Sequence, residues 1–169
     1  MIIRPETTED IKTIEQITIL AFAGKAYSSQ TEHFIVNRLR EMDALSLSLV
    51  AELDGKVIGH VAFSVVTIDG ENKSWYGLGP ISVQPDLQKR GIGSRLIQAG
   101  LAKIREMGAR GCLLEGDPNY YQRFGFKSYP ELVYEGSPAP EYFMAIPFYD
   151  ADAAPNGKVK FHQAFYNNE

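Results

Sequence analysis

Residues 83–96 read VQPDLQKRGIGSRL, and in this stretch two glycines and three basic side chains lie at the start of an amphipathic helical pattern. Glycine lets a ligand come close to the main chain, and the first N–H groups of a helix point outward without partners, with a partial positive charge. The stretch therefore predicts an anion site on the main-chain N–H groups of residues 88–94. Lys89, Arg90 and Arg95 add positive charge to this site.

The sequence around this loop predicts a regular order of strands and helices. Alternating apolar residues predict strands, and apolar residues at helical spacing predict helices. Asp54-Gly55 and Asp69-Gly70 are strong turn signals. The expected strands cover residues 1–5, 45–53, 56–68, 74–83, 110–115, 126–129, 141–148 and, as an added strand, part of 158–166; the expected helices cover 7–24, 32–42, 92–107 and, as a short turn, 118–124. This order predicts an α/β (α+β) fold with a central mixed, mostly antiparallel sheet of about seven strands flanked by helices.

Length and composition limit the class of protein. A chain of 169 residues suits one domain over 1–169, with 148–169 as a C-terminal extension. No run of residues is apolar enough to span a bilayer or to act as a secretory signal, so we expect a cytoplasmic protein without membrane contact. The net charge of −4 argues against broad binding to nucleic acid.

The residues that could support metal or thiol chemistry are few. Three scattered histidines and one cysteine offer no spacing typical of a metal site, so we expect no metal. Cys112 lies in an apolar run that is typical of a buried strand, which favours an inert core thiol over a nucleophile.

Three kinds of nucleotide-binding loop can be compared with the glycine stretch. A Walker loop needs a wider glycine spacing followed by Lys and Ser or Thr, and a dinucleotide fingerprint needs a third glycine in a repeated parallel unit. Neither pattern is present. The third kind is the pyrophosphate loop of acyl-CoA enzymes. Gln88, Gly91 and Gly93 match its signature of Gln or Arg, two residues, Gly, one residue, then Gly or Ala, and Val83 and Pro85 precede it.

In these residues the chain resembles the GNAT N-acetyltransferase superfamily. The later stretch YYQRFGF, residues 120–126, resembles the Tyr-x-x-x-Gly-Phe ending common in that family, and the resemblance covers roughly residues 1–147. The stretch EGDPNYYQRFGF and the tail GKVKFHQAFY resemble the bacterial acetyltransferases called YhbS-like.

The resemblance implies a function and a set of binding residues. It implies transfer of an acetyl group from acetyl-CoA, as co-substrate, directly to a primary amine of a small molecule or protein within a ternary complex. It also implies a cleft where the strand over 74–83 is splayed from the strand over 110–115. The residues implied to contact the coenzyme are Ile81, Val83, Gln88, Lys89, Arg90, Gly91, Ile92, Gly93, Ser94 and Tyr121.

The resemblance also implies catalytic roles. The N–H of Ile81 polarises the acetyl carbonyl, and Tyr121 protonates the departing thiolate. The neighbouring Tyr120 is the natural control, since we expect one of the two tyrosines to pack in the core. The chain departs from the family at two positions: Leu114 stands where many members have Asn, and Gly77 stands where some have a carboxylate.

The general base and the acceptor site are less defined. Glu115 and His60 are candidate bases, with a chain of water molecules as the alternative. The family uses the region over 25–40 as a lid on the acceptor, which makes Tyr27 and Glu32 candidate acceptor-binding residues.

Two further expectations remain open at this point. A non-catalytic acyl-CoA-binding sensor is the alternative function, favoured by Gly77 and by the shortened helix before Tyr121. Edge strands at the C-terminal end can pair between subunits, so a homodimer is one expected assembly.

Overall fold

The computed structural model describes residues 1–137, 139–149 and 155–166. The helices are α1 (Ile11–Phe22), α2 (Glu32–Glu41), α3 (Ile92–Glu106) and the single turn α4 (Pro118–Tyr121). The strands are β1 (Ile2–Pro5), β2 (Leu47–Leu53), β3 (Lys56–Val65), β4 (Thr67–Ile68), β5 (Trp75–Val83), β6 (Gly111–Glu115), β7 (Leu132–Val133), β8 (Phe143–Pro147) and β9 (Gly157–Lys160). None of the described helices is long and apolar enough to cross a bilayer.

The strands form two sheets. The larger sheet has the order β1-β2-β3-β5-β6-β8, and the smaller has the order β4-β9-β7. Within the larger sheet only β5 and β6 are parallel, because the chain crosses between them through α3. The predicted fold class, a mixed and mostly antiparallel sheet flanked by helices, is confirmed.

Several predicted element boundaries differ from the structure. The predicted strand over 126–129 is wrong: Lys127 makes only an isolated bridge to Ala145, since the chain turns away after one residue pair. The predicted strand over 56–68 divides into β3 and β4 at Val66. The added strand expected near the end is β9. That residues 1–169 form one domain stays a prediction, because 138, 150–154 and 167–169 lie outside the described residues.

The cleft arises where β5 leaves β6. The two strands pair only from Trp75–Gly77 to Gly111–Leu113, and β5 then continues to Val83 with β3 alone as its partner. Opposite Val61 and Phe63, β5 contains one extra residue between Leu78 and Ile81, which is a β-bulge. A bulge bends and twists its strand, so the second half of β5 diverges from β6 and leaves an open edge.

The core against α3 fixes the position of that helix. Leu96, Ile97 and Ile104 are fully buried on the face of α3 that contacts the large sheet. Gly100 lies over the buried ring of Phe63, and a Cβ atom at this glycine would lie 2.3 Å from Phe63 Cε1. The absence of a side chain therefore lets α3 approach the sheet closely.

We predict that Gly100→Ala destabilises the protein although alanine is the better helix former. The buried ring must shift, and overpacking of this kind costs ~1–3 kcal/mol of the free energy of unfolding, against a gain of ~1 kcal/mol in helix propensity. Urea unfolding measures the difference. Gln98→Ala, on the exposed side of the same helix, is the control and should change stability by less than ~0.5 kcal/mol. A variant at residue 100 as stable as the wild type would show that α3 can move outward freely.

Candidate active site

The loop before α3 presents main-chain donors. After the 3-10 turn Pro85–Leu87, Lys89 (φ 65°) and Gly91 (φ 85°) adopt left-handed conformations, and α3 begins at Ile92. In the described part of the chain, the N–H groups of residues 89–94 have no hydrogen-bond acceptor. Those of residues 92–94 belong to the first turn of the 15-residue helix α3 and form its positive end, and those of residues 89–91 precede it in the loop.

The side chain of Gln88 connects this loop to β5. Its side-chain Nε2 donates to the carbonyl oxygen of Val83 at 3.0 Å, which ties the loop to the end of β5. Its main-chain N–H donates to the carbonyl oxygen of Pro85 at 3.4 Å. The free amides therefore begin at Lys89 and not, as the sequence suggested, at Gln88.

The open edge of β5 supplies a second set of main-chain groups. The N–H of Gln84 donates to Ile58 O on β3 at 2.9 Å. Because successive N–H groups of a strand point to opposite edges, those of Val83 and Ile81 point away from β3, toward the cleft. The Ile81 N–H therefore faces the open edge of β5, and its role in polarising a carbonyl group stays a prediction.

A cavity of about 610 Å³ lies between these two sets of donors. Its walls come from the end of α1, the loop before α2, the second half of β5, the glycine loop with the first turn of α3, and α4. The lining residues are Ala21, Phe22, Lys25, Tyr27, Ile81, Ser82, Val83, Leu87, Gln88, Lys89, Gly91, Ile92, Gly93, Ser94, Tyr120 and Arg123.

The cavity wall carries only positive charge. Lys25, Lys89 and Arg123 line it, and its described lining residues include no Asp or Glu. None of these cations has an acidic partner within 4.0 Å among the described residues. In a chain of net charge −4, this concentration of positive charge favours a polyanionic ligand.

The structure brings together many of the predicted site residues. The predicted residues that line the cavity are Tyr27, Ile81, Val83, Gln88, Lys89, Gly91, Ile92, Gly93 and Ser94. Four others, Arg90, Tyr121, Glu115 and Glu32, are outside the described lining residues. Glu32 accepts a hydrogen bond from Ser28 Oγ at 2.6 Å, within the loop before α2.

The two adjacent tyrosines of α4 have different surroundings. The Tyr120 hydroxyl lies 3.5 Å from Ser94 Oγ, at the first turn of α3. The Tyr121 ring packs edge-on against Phe126, with ring centroids 6.1 Å apart, and lies against Gly116. Burial raises the pKa of the Tyr121 phenol well above its usual value. Both rings are partly buried and pack on the core. The expectation that one of the two tyrosines packs there therefore does not distinguish Tyr120 from Tyr121.

The surroundings of Glu115 place it on the other face of the sheet. Cys112 and Leu114 belong to the core beneath α3, whereas Leu113 belongs to the core on the opposite face. Side chains alternate along a strand, so Glu115 shares the face of Leu113. Partial burial raises the pKa of the Glu115 carboxyl, and a hydrogen bond with Ser137 lowers it less strongly. Its role as a base stays a prediction.

Gly77 has no room for a side chain. A Cβ atom there would lie 2.7 Å from Cε1 of Phe161, which follows β9 in the C-terminal segment. The carboxylate that some family members carry at this position is thus replaced by an aromatic ring from elsewhere in the chain. Phe161 belongs to a buried cluster with Trp75 and Leu113.

His60, the other candidate base, is fully buried on β3 and is not among the described lining residues. Its Nε2 lies 2.8 Å from Ser48 Oγ, and Ser48 donates to Glu6, which pairs with Arg40 at 2.9 Å. Burial lowers the pKa of His60 to about 4, although Glu6 acts in the opposite direction. These contacts support a structural role for His60.

Cys112 is fully buried, and burial raises the pKa of its thiol strongly. The expectation of a buried core thiol is confirmed. A thiol without thiolate character is a weak nucleophile.

Sequence reasoning missed several lining residues, among them Lys25, Ser82 and Arg123. Arg123 stands inside the quoted stretch YYQRFGF, so its position near the site was available from the motif. Lys25 had only its place at the start of the lid region as a signal. Ser82 is between Ile81 and Val83 on β5, and its hydroxyl lies 3.3 Å from Thr18 Oγ1 on α1.

This geometry defines a class of protein: a mixed α/β domain that offers a diverging strand edge and a helix N-terminus to an extended anionic ligand. The family described as "Acetyltransferase (GNAT) domain" matches residues 44–128. The uncharacterized N-acetyltransferase YhbS of Escherichia coli K12 is 38% identical over 128 residues, which cover 75% of this chain and 74% of that protein.

Solved structures agree with this match. A GNAT family acetyltransferase from Brucella melitensis in complex with acetyl-CoA has 49% identity and a TM-score of 0.86, covering 97% of both chains. The Escherichia coli YhbS structure in complex with CoA has 31% identity and a TM-score of 0.85, covering 99% of this chain and 93% of that one. The protein belongs to the GNAT family of acetyltransferases, which are acyltransferases that transfer groups other than aminoacyl groups. The resemblance stated from the motifs, including its YhbS-like character, is confirmed.

We predict that His60 makes stability depend on pH. Its pKa is about 4 in the folded protein, whereas an ordinary histidine has a pKa of about 6.5, so between these values the unfolded chain binds more protons. The contribution of His60 to the free energy of unfolding is therefore fully present above pH 6.5. It falls by up to ~3 kcal/mol as the pH is lowered from 6.5 toward 4. Urea unfolding from pH 4.5 to 7 measures it.

The comparison with His60→Gln isolates this contribution. The pKa values of Asp10 and Glu6 are lowered on folding and that of Glu115 is raised, but all three groups are present in both proteins, so their contributions largely cancel in the comparison. The difference in unfolding free energy between wild type and variant should shrink as the pH falls. If the free energies of unfolding of the two proteins change with pH in parallel, the pKa of His60 is the same in the folded and the unfolded protein.

Proposed function

We propose that the protein transfers an acetyl group directly from acetyl-CoA to a primary amine of a small molecule or protein, within a ternary complex. The observation that carries the proposal is the run of N–H groups at residues 89–94 without an acceptor among the described residues, beside a cavity whose charged lining residues, as far as the structure describes them, are all cations. The two relatives that crystallised with acetyl-CoA and CoA support the identity of the ligand.

Each part of the coenzyme has a place in this site. The N–H groups of residues 89–94 bind the diphosphate, with Lys89 adding charge. The open edge of β5 at Ile81 and Val83 bonds the amide groups of the pantetheine arm, as an added strand would. When bound, the coenzyme supplies the activated acetyl thioester.

The chemistry needs charge stabilisation on the carbonyl oxygen and a proton for the thiolate. The Ile81 N–H points into the cleft and stabilises the oxygen as it gains negative charge. Tyr121 donates the proton. Its raised pKa keeps the phenol protonated at neutral pH, which is the state an acid must have.

On the acceptor side we assign Glu115 as the general base and Tyr27 and Glu32 as acceptor contacts. A carboxyl group with a raised pKa accepts a proton from an ammonium group more readily than an ordinary carboxylate does. Tyr27 lines the cavity and is 79% exposed, so an acceptor can reach it from solvent.

Binding of the coenzyme tests the proposal directly. We predict that isothermal titration detects acetyl-CoA binding to the wild type, and that Gly91→Val weakens it by about tenfold or more, because valine fills the space in front of the loop amides and strains a left-handed residue. Gly70→Val is the matched control, since Gly70 (φ 79°) is also left-handed with open space around it but lies in a distant turn. Failure of the wild type to bind at millimolar acetyl-CoA would refute the proposal.

The roles of the two tyrosines are tested by removing their hydroxyl groups. We predict that Tyr121→Phe lowers kcat by about 100-fold, the usual contribution of a general acid, with the KM for acetyl-CoA nearly unchanged. Tyr120→Phe keeps the neighbouring ring and should leave kcat close to the wild-type value. If instead the second variant loses turnover and the first keeps it, Tyr120 is the acid.

A non-catalytic acyl-CoA sensor is the second candidate. The ring of Phe161 in the place of a carboxylate beside Gly77, and the single turn of α4, favour it. Release of CoA thiol in the presence of a broad amine panel distinguishes the two functions. Tight binding without thiol release would favour the sensor.

A further inference from the structure

Arg123 lies on the cavity wall, where it is exposed and contacts one aromatic ring. Its guanidinium carbon lies 4.6 Å from the centroid of the Tyr120 ring, which is a cation–π contact. The hydroxyl of the same ring lies beside Ser94, and it lies 3.1 Å from the position a Cβ atom would occupy at Gly93. Tyr120 therefore connects the cation, which lies in the 3-10 turn Gln122–Phe124 after α4, to the first turn of α3.

Arg123 and the helix start contact different parts of the Tyr120 side chain. The guanidinium lies over the face of the ring, whereas the hydroxyl at the ring's edge lies beside Ser94 at the start of α3. A ligand with two separate anionic groups can therefore place one on the loop amides and the other on Arg123.

The charges in the cavity lead to the same conclusion. The diphosphate of CoA carries two negative charges, while the described lining residues carry the three cations Lys25, Lys89 and Arg123 and no acid. The end of α3 adds further partial positive charge. The positive charge of the site therefore exceeds what a diphosphate needs, and CoA has one other phosphate, on the 3′-oxygen of its ribose.

We propose that Arg123, positioned by Tyr120, binds the ribose 3′-phosphate of the coenzyme and makes the protein select CoA over dephospho-CoA. This inference rests on the proposed function and adds a specificity-determining residue to it. A guanidinium is suited to this task because its planar set of donors matches two phosphate oxygens at once. The aromatic contact also restricts the side chain before the ligand arrives, which lowers the entropic cost of binding.

The test compares two ligands that differ only in the 3′-phosphate. Isothermal titration at fixed ionic strength gives the Kd of CoA and of dephospho-CoA for each variant. We expect the wild type to bind CoA about tenfold more tightly than dephospho-CoA. In Arg123→Gln this ratio should fall close to one through a loss of CoA affinity alone, and Arg123→Lys should restore part of the preference.

Arg110→Gln is the matched control. It removes the same charge from an exposed position just before β6, and Arg110 is not among the described lining residues, so the ratio should stay at the wild-type value. Thermal unfolding of each variant verifies that it folds.

The remaining outcomes distinguish a failure of this inference from a failure of the proposed function. Equal weakening of both ligands by Arg123→Gln would assign Arg123 to the diphosphate or the adenine and overturn the inference, as would a wild type without preference. In both cases the coenzyme still binds and the proposed function stands. A wild type that binds neither ligand contradicts the proposed function and the inference with it.

Discussion

The site depends on main-chain N–H groups that the fold leaves without an internal acceptor. Two different causes produce them: the N-terminus of α3, where helix geometry leaves the first donors unpaired, and the bulge in β5, which separates the strand's second half from β6. Unpaired donors cost free energy unless water or a ligand satisfies them. Their concentration around one cavity makes a ligand with many acceptors the natural partner.

The loop keeps these donors open through its own conformation. Lys89 and Gly91 both have positive φ, and Gln88 ties the loop to Val83 through its side chain. The close packing of Gly100 on Phe63 holds the axis of α3 near the sheet. A helix held further out would move the amides of residues 89–94 away from the edge of β5, and one extended ligand would no longer meet both.

Sequence reasoning identified the features that are local in the chain. The left-handed turn at Gly91, the start of α3 and the strand before the loop leave direct signals in glycine spacing and apolar periodicity. The side chains that complete the wall were harder to predict, because Lys25 and Arg123 lie in the segments that follow α1 and α4 and reach the cavity only through the packing of those segments around β5. The predicted strand over 126–129 failed because its pairing ends after one residue pair, and β7 depends on β9, which lies far along the chain.

Tyr120 and Tyr121 show the limit of a motif in another way. A motif fixes the position of a residue in the chain, whereas the direction of its side chain depends on the turn that carries it. Here that turn has only the four residues Pro118–Tyr121, and Asp117 caps it by accepting from the N–H of Asn119 at 2.9 Å. The cap and Pro118 set the rotation of the turn, which directs one hydroxyl toward Ser94 and buries the other ring against Phe126.

The C-terminal segment packs against the face of the large sheet that is opposite to α3. β9 pairs with both β4 and β7, and this small sheet brings Phe161 against Gly77. The glycine and the ring depend on each other: a side chain at 77 would displace the ring, and loss of the ring would leave space beside the divergence of β5 and β6. The face of the sheet on which Glu115 lies is therefore shaped by residues that enter from the end of the chain, so it is built independently of the cavity beside α3.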